Sequence, residues 1–326
     1  MNILYTINDG FVPQAAAGIT SICENNKSAK EITFYIIGQQ VSEDNKNELD
    51  KLAKSYGRKF VLIELDDLSK YIDFEFDTTG WNPIVLARLL MGQLLPKDVD
   101  RVLYLDGDTI VLEDLSKLWN RNLHGKVLGM VAEPTVNRKR KDALGLHDYY
   151  YHNAGVLLVD LKRWREKHIE KVVLEYYKEN DGKLFANDQD AINASLKDEI
   201  VELLPKYNFS NIYTTYPYWF IKMLVKPRKY ISRKLYEESM CYPAIIHYLG
   251  EERPWRKGNT HMFKDEYKKY LKMTKWADTP DEEGWTLYFV AWRIFNTVMK
   301  PFPMVRYWII DALIPVVLKM RAKKRK

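Results

Sequence analysis

The 326-residue chain has only two cysteines, and its first residues do not have the composition of a signal peptide. Each of these features argues against certain classes of protein. Its two cysteines, Cys23 and Cys241, form no CxxC or Cys/His pattern, which argues against a disulfide framework and a structural zinc site. The opening stretch MNILYTINDGF lacks the basic and long apolar regions of a signal peptide, and it predicts a first strand running into a turn. We therefore expect a cytoplasmic, reducing location.

A net positive charge is also missing from most of the chain. The net charge is +6, but residues 300–326 carry eight Lys or Arg and one Asp, which leaves the first 299 residues close to −1. A body that binds nucleic acid is therefore not expected. With 46% hydrophobic residues, no internal repeat and no low-complexity segment, the chain can bury a globular core of ordinary size.

What is present is an alternation of strand and helix patterns in the first half. The runs MNILYTI, EITFYIIG and KFVLIEL predict strands, separated by predicted helices over residues 14–24 and 42–56. Ser42 is the expected N-cap of the second helix and Gly57 its stop. Strands joined by single helices pair in parallel, so the predicted fold class is α/β.

Further along, three more runs predict strands: RVLYL, GKVLGMVAEP and HNAGVLLVDLKRW. Residues 164–204 are predicted to be helical, and residues 206–256 are predicted to be irregular and aromatic. The aromatic residues over 207–220 either form a stacking surface for a ligand or pack in the core. Glu133, just after a predicted strand, is a second candidate for contact with a ligand.

The segment LYLDGDTIV places two carboxylates at the end of a predicted buried strand. Asp106 and Asp108 would lie at the carboxyl edge of the sheet, where open α/β sheets bind ligands. Two residues apart, they point to one side with Cα atoms roughly 6–7 Å apart, and Gly107 lets the backbone bend toward one cation. Such a pair holds Mg²⁺ or Mn²⁺ on a nucleotide diphosphate. The alternative is a solvated turn with an Asx cap.

Several later polar residues allow a functional and a structural interpretation. Asn153 precedes a strand, where its amide could bind a sugar hydroxyl or simply shape the strand entry. Asp188 and Gln189 begin a predicted helix, where an N-cap is the simpler explanation. His247 follows an apolar run and is either a metal ligand or a packed core histidine, whereas Arg253 is available for a phosphate.

Four motifs taken together resemble a known family. LYLDGDTIV, HNAGVLLVDLKRW, NDQDAIN and HYLGEERPW occur in the order and spacing found in glycosyltransferase family 8, the retaining galactosyl- and glucosyltransferases, and resemble the lipooligosaccharide galactosyltransferase type. The resemblance implies a GT-A fold, a single Rossmann-like domain that binds a UDP-hexose donor, with galactose or glucose as the sugar. It also implies Mn²⁺ as the cofactor, with Mg²⁺ as the alternative; an imidazole ligand favours Mn²⁺.

The resemblance assigns roles residue by residue. It implies three metal ligands, Asp106, Asp108 and His247. It implies four catalytic or sugar-holding groups: Arg88, Asn153, Asp188 and Gln189. It also implies five contacts to the nucleoside diphosphate: Ile7, Asn8, Asp9, Gly250 and Arg253. Asn8 stands where many relatives carry aspartate, and Arg253 where a lysine is commoner, so we expect altered donor affinity.

The same resemblance shapes the expected mechanism. The metal and Arg253 would neutralise charge on the departing UDP. An amide such as Gln189 is a poor nucleophile, so we expect a front-face reaction. In that reaction the acceptor hydroxyl attacks from the side of the leaving group and passes its proton to a phosphate oxygen. Gln189 would then stabilise the oxocarbenium character, while Asp188 binds sugar hydroxyls.

The C-terminal part is predicted to be a separate segment. We expect a catalytic domain over 1–276, a linker over 277–284 and an amphipathic basic segment over 285–326. Six apolar residues recur at helical spacing: Leu287, Val290, Ala291, Ile294, Phe295 and Val298. Asp311 and Pro315 interrupt the apolar stretches, so the segment falls short of a membrane span. It is expected to lie on the anionic inner face of the cell membrane, near a saccharide or lipid-linked acceptor. The alternative is a helix packed on the body.

Two other functions were weighed against this one. A phosphohydrolase of the haloacid dehalogenase kind also uses a DxD at a strand end, but there the motif usually follows the first strand. A non-catalytic carbohydrate-binding protein at the membrane would tolerate the loss of Asp106 or His247, and both are present.

Overall fold

The computed structural model describes residues 1–78 and 80–325, and the side chains of Lys319 and of residues 321–325 lie outside that description. Most of the predicted basic end, including Lys326, is therefore outside the described residues. The strands are β1 (Asn2–Asn8), β2 (Thr33–Gln39), β3 (Lys59–Glu64), β4 (Arg101–Leu105), β5 (Thr109–Val111), β6 (Leu128–Ala132), β7 (His152–Asp160), β8 (Ile200–Leu203) and β9 (Ile245–His247).

The helices surround these strands. They are α1 (Val12–Asn25), α2 (Glu43–Ser55), α3 (Met91–Leu94), α4 (Ser116–Trp119), α5 (Arg138–Ala143), α6 (Leu161–Glu166), α7 (Ile169–Glu179), α8 (Asn187–Ser195), α9 (Asn211–Thr215), α10 (Tyr218–Leu224), α11 (Arg233–Cys241), α12 (Lys264–Leu271), α13 (Thr286–Met299) and α14 (Pro303–Arg325). The predicted ends of α2 are confirmed, because the Ser42 side chain accepts from the Asn45 N–H and Gly57 has a φ of 66°.

Seven strands form one mixed sheet in the order β3-β2-β1-β4-β7-β6-β8. The first four pair in parallel as predicted, but β7 runs antiparallel to both of its neighbours, β4 and β6. Strand β8 lies inside the stretch predicted to be helical, so that prediction is wrong at residues 200–203. Its four residues pair with β6, so a tertiary contact overrides a local pattern too short to read.

The central strands are buried on both faces, which explains their nearly continuous apolar runs. Alternate residues of β1, such as Leu4 and Tyr5, enter two different cores. One core packs under α6, α7 and α8, and the other under α1 and α2. The sheet is therefore fixed from both sides, and its edge at the strand ends is held rigidly.

A second sheet of only two strands crosses a long sequence distance. Strand β5 follows the DGD tripeptide directly, and it pairs antiparallel with β9 so that Thr109 lies opposite His247. The Tyr248 N–H donates to the Asp108 carbonyl over 3.0 Å, which extends the pairing toward the tripeptide. This small sheet positions residues 108 and 247, which the sequence separates widely, in one place.

The two C-terminal helices pack against the body at several points. Arg306 is buried, and its guanidinium donates to Tyr216 Oη over 2.8 Å and to Asn296 Oδ1 over 2.9 Å. Trp292 Nε1 donates to Glu252 Oε1 over 2.6 Å. Within the part of the chain that the structure describes, no helix combines the length and apolarity needed to cross a bilayer.

The face of α13 that was predicted to be apolar points outward. Leu287, Ile294 and Val298 are 84%, 60% and 55% exposed, whereas Phe289 on the opposite side is 4% exposed. The segment before α13 is tied down, because the Glu282 N–H donates to the Trp255 carbonyl over 2.8 Å. The domain limits remain a prediction.

Candidate active site

Asp106, Asp108 and His247 meet at the carboxyl end of β4. Asp106 comes directly after the strand, and its N–H donates to the Gly155 carbonyl of β7 over 2.8 Å. His247 Nε2 lies 3.2 Å from Asp108 Oδ1 and 3.7 Å from Asp106 Oδ2. The Asx-turn alternative for the tripeptide does not account for this convergence of three side chains.

One oxygen from each carboxylate and one nitrogen from the imidazole lie within 4.8 Å of one another, so the three residues could hold one metal ion. A donor set of two carboxylates and an imidazole suits Mn²⁺ and other borderline divalent cations. Burial disfavours a charged imidazole, but the carboxylates of Asp108 and Asp106 outweigh it and raise the pKa of His247 above its usual value. The residues present therefore fit a divalent cation.

Gly155 makes room for the imidazole. A Cβ built at this position would lie 2.1 Å from His247 Cε1, a distance that real Cβ contacts do not show. Sequence reasoning passed over Gly155, because nothing in HNAGV shows that the glycine faces a side chain 92 positions later. Only the pairing of β9 with β5 makes this glycine necessary.

Arg88 lies between two carboxylates of the site, Asp106 and Asp188. Its guanidinium lies 2.9 Å from Asp106 Oδ1 and 3.0 Å from Asp188 Oδ2, and only 7% of the side chain is exposed. Burial raises the pKa of Asp188 to about 6, while the Arg88 guanidinium opposes that rise. Arg88 thus fixes two carboxylates that the sequence places 82 residues apart.

Asn153 and Gln189 come together around a shared acceptor. Asn153 Nδ2 donates to Glu133 Oε2 over 2.9 Å, and Gln189 Nε2 donates to the same oxygen over 3.2 Å. Gln189 Oε1 accepts from the Ala154 N–H over 2.9 Å. Gln189 follows Asp188 in the first turn of α8, so the predicted helix start and the predicted site coincide.

The predicted nucleoside residues follow β1. Ile7 lies against Gly107, since a Cβ on that glycine would be 3.2 Å from Ile7 Cγ2. Asn8 Oδ1 is buried with no hydrogen-bond partner among the described residues. Asp9 Oδ1 is already engaged, accepting from the Ser42 N–H and from Asn45 Nδ2 over 2.8 and 2.7 Å. Asp9 therefore also holds the start of α2.

Of the two predicted diphosphate residues, Arg253 lies beside the carboxylates. Arg253 Nη2 is 3.5 Å from Asp108 Oδ2, and the guanidinium lies over the rings of Phe11 and Trp255 at 5.4 and 5.6 Å. Burial lowers the pKa of Arg253, although Asp108 opposes this. Gly250 has a φ of 71°, which favours glycine, and a Cβ there would meet nothing within 4 Å, so its contact with the diphosphate stays a prediction.

Sequence reasoning missed Asn208, which lies behind the imidazole. Its Oδ1 is 2.8 Å from His247 Nδ1, and its Nδ2 donates to Asn153 Oδ1 over 2.8 Å. The residue is 3% exposed and lies in the aromatic stretch KYNF. An isolated asparagine among aromatic residues gives no signal of this role in the sequence.

The mixed sheet carries clustered carboxylates, an imidazole and two guanidinium groups at its carboxyl edge, which is the arrangement expected for the GT-A fold that the four motifs predicted. The model of "Glycosyl transferase family 8" matches residues 2–258. The chain belongs to glycosyltransferase family 8, as the four motifs predicted.

Individual proteins agree with this membership. The chain is 28% identical to general stress protein A of Bacillus subtilis, over 85% of this chain and 94% of that protein. It is 29% identical to a lipopolysaccharide 1,2-glucosyltransferase of Escherichia coli K12, over 85% of this chain and 79% of that protein. Among solved structures, galactosyltransferase LgtC in complex with donor and acceptor sugar analogues has a TM-score of 0.71 at 24% identity. The match covers 87% of this chain and 99% of LgtC, and it supports the fold.

Proposed function

We propose that the protein is a metal-dependent, retaining hexosyltransferase that moves galactose or glucose from a UDP-sugar to a saccharide or glycolipid acceptor. The observation that carries the proposal is the convergence of Asp106, Asp108 and His247 within 4.8 Å at the sheet edge. The glucosyltransferase and galactosyltransferase among the similar proteins support a hexose donor, and the former supports a lipopolysaccharide-like acceptor. The phosphohydrolase alternative is dropped because the chain belongs to a glycosyltransferase family.

The proposed reaction divides the site into two halves. Asp106, Asp108 and His247 would hold the divalent cation, which would supply Lewis-acid neutralisation of the charge on the departing diphosphate. Arg253, beside Asp108, is the protein's own counter-charge for that diphosphate. On the other half, Asp188 and Asn153 bind hydroxyls of the transferred sugar, and Arg88 keeps the Asp188 carboxylate in position.

The proposed retention of the anomeric configuration depends on Gln189, the group assigned to the reacting carbon. The Gln189 amide is held at both ends, by the Ala154 N–H and by Glu133, so it offers a fixed carbonyl dipole rather than a nucleophile. The acceptor oxygen forms its bond to the anomeric carbon on the side where the bond to the diphosphate oxygen breaks. The hydroxyl proton goes to the departing diphosphate, so the balance needs no further reactant.

The decisive experiment measures UDP release from UDP-glucose, UDP-galactose and their N-acetylated forms, with and without Mn²⁺. Asp106→Asn removes a metal ligand with nearly unchanged shape. Asp98→Asn is the matched control, because Asp98 is an exposed carboxylate of the other DxD-type tripeptide, DVD. We expect metal-dependent release from one donor by the parent protein and by Asp98→Asn only. Release that is independent of metal, or unchanged in Asp106→Asn, would contradict the proposal.

The proposal extends to the inner face of the membrane. Apolar surface is exposed along α13, α14 and the connection between them: Leu287, Ile294, Phe302 and Trp308 are 84%, 60%, 55% and 61% exposed. Exposed aliphatic and aromatic side chains next to a basic sequence suit an anionic bilayer surface. Flotation with phosphatidylcholine vesicles containing 30% phosphatidylglycerol should recover the protein, at about physiological salt, more fully than flotation with phosphatidylcholine alone. Equal recovery from both would contradict the role of anionic lipid.

A further inference from the structure

Asn208 joins the candidate metal ligand His247 to Asn153 by hydrogen bonds. His247 Nδ1 lies 2.8 Å from Asn208 Oδ1, and Asn208 Nδ2 lies 2.8 Å from Asn153 Oδ1. The three residues are 2%, 3% and 8% exposed. Water therefore cannot readily replace either bond.

One backbone N–H group fixes the direction of each hydrogen bond in this series from Asn153 to His247. The Gly155 N–H donates over 2.9 Å to the Asn153 side chain, so the receiving atom is the amide oxygen. That oxygen also faces Asn208, which must turn its NH₂ group toward it. The Asn208 oxygen is left to face His247, so Nδ1 carries a proton and Nε2 is directed at the carboxylates of Asp106 and Asp108.

The series of hydrogen bonds continues beyond Asn153 to the groups that the proposed function assigns to the sugar. Asn153 Nδ2 donates to Glu133 Oε2, which also accepts from Gln189 Nε2. The Asn153 oxygen therefore faces Asn208 and Gly155 and one N–H of its amide faces Glu133, so the second N–H of the same amide is the group that would bind a sugar hydroxyl. An amide held at both ends cannot turn without leaving a buried polar group unpaired, which is unfavourable.

We propose that Asn208 is a positioning residue that couples cation binding at His247 to recognition of the transferred sugar by Asn153. The inference rests on the proposed function for the identities of the cation and the sugar. A cation holds the imidazole in one orientation, which holds the Asn208 amide and, through it, the Asn153 amide. By thermodynamic reciprocity, a donor sugar that holds Asn153 must favour the cation-binding orientation of His247 to the same extent.

Two substitutions separate the two ends of the Asn208 amide. Asn208→Ala removes both bonds. Asn208→Asp keeps an oxygen for His247 Nδ1, but it sets a carboxylate oxygen against the Asn153 oxygen, so only the sugar-side bond is lost. Asn26 is the matched control, since it is fully buried and its amide donates to the Ile22 carbonyl over 2.9 Å and accepts from the Leu115 N–H over 2.7 Å.

The test measures Mn²⁺ affinity of the full chain by electron paramagnetic resonance of free Mn²⁺, so it does not depend on turnover. Each protein is titrated alone, with UDP, and with UDP-glucose or UDP-galactose. The gain in Mn²⁺ affinity with the sugar nucleotide, relative to the gain with UDP, reports the coupling to the sugar. Melting temperatures record any general loss of stability.

We expect Asn208→Ala to bind Mn²⁺ about 10–100-fold more weakly than the parent protein. Asn208→Asp should bind Mn²⁺ alone at least as tightly as the parent protein, yet lose about fivefold of the coupling to the sugar. Asn26→Ala and Asn26→Asp should lower the melting temperature and change neither quantity. A role of Asn208 in stability alone would not produce this split between metal affinity and coupling.

Two results would overturn the inference by itself: Mn²⁺ affinity in Asn208→Ala equal to that of the parent protein, or coupling in Asn208→Asp equal to that of the parent protein. A different result bears on the proposed function. If the parent protein and Asp106→Asn bind Mn²⁺ equally, the metal site itself is wrong, and the coupling is overturned together with it.

Discussion

The strand-edge site and the C-terminal helices reverse the usual distribution of polarity in opposite ways. At the strand edge, Arg88, Asp188 and His247 are almost completely buried, although each can carry a charge. On α13 the aliphatic residues Leu287 and Ile294 are more than half exposed. Buried charge and exposed apolar surface both cost stability, so each marks a surface shaped for something other than folding.

The two regions tolerate this for different reasons. At the strand edge the buried charged side chains face groups of opposite charge within the protein, as Arg88 faces Asp106 and Asp188. On the outer face of α13 the apolar groups have no such cover, while Arg306 secures the following helix from beneath. A site built for chemistry must be rigid before its ligand arrives, whereas the bilayer contact that we propose for α13 would need only a helix that stays attached to the body.

The largest effect is expected from filling the space beside His247. In Gly155→Ala the new methyl group would collide with the imidazole, so Mn²⁺ affinity and metal-dependent UDP release should fall by about 100-fold or more. Mn²⁺ titration and UDP release measure the two quantities. Gly10→Ala is the control, because its Cβ would meet nothing closer than 3.7 Å. Normal Mn²⁺ binding by Gly155→Ala would show that the imidazole is not held where the structure has it.

A second prediction concerns the removal of apolar side chains from the exposed face of α13. The triple variant Leu287→Ser, Ile294→Ser, Val298→Ser should bind anionic vesicles about 10–100-fold more weakly, because each change removes apolar area that a bilayer would bury. Vesicle co-sedimentation measures this, and the melting temperature should not change.

The control for this variant removes three exposed aliphatic residues of the body, Val61, Val172 and Leu235, in the same way. If both triple variants lose vesicle binding equally, the α13 face is not the membrane surface.

A third prediction concerns the contact that holds α14. Arg306→Ala should lower the free energy of unfolding by about 1–3 kcal/mol, because Tyr216 and Asn296 lose a buried charged donor. Urea denaturation followed by tryptophan fluorescence measures it. Arg293→Ala, which removes an exposed arginine from α13, should change the stability little. Equal effects would mean that net charge rather than the contact matters.

The smallest effect is expected at Glu170, a buried carboxyl away from the site. Burial raises its pKa to about 7, above the usual 4.5, so the native state favours the neutral form. The stabilisation of the native state by the neutral Glu170 carboxyl is fully present below pH 4.5 and is lost as the pH rises through 7.

Glu170→Gln cannot ionise, so it should be more stable than the parent protein by about 1–2 kcal/mol at pH 8 and no more stable at pH 4.5. Denaturation at the two pH values measures the difference. Glu175→Gln, on the exposed side of the same helix, is the control. A gain of the same size at both pH values would rule out ionisation as its cause.

Much of the fold was predictable because its signals are local. The strand patterns, the Ser42 cap and the Gly57 stop depend on residues within a few positions of each other, and the α/β class and the family followed from them and from four short motifs. The strand at 200–203 was missed because four residues carry too little pattern. The antiparallel direction of β7 was missed because no local signal specifies it.

The sequence by itself determined which groups are available: two carboxylates after an apolar strand, a histidine after another, and an apolar stripe at helical spacing near the C-terminus. Only the tertiary structure decided where they meet. The pairing of β5 with β9 brought His247 to Asp108, required glycine at position 155 and placed Asn208 behind the imidazole. Packing also turned the α13 stripe outward. The reason is physical, because periodicity fixes which residues share a face, whereas contacts between distant segments fix what that face meets.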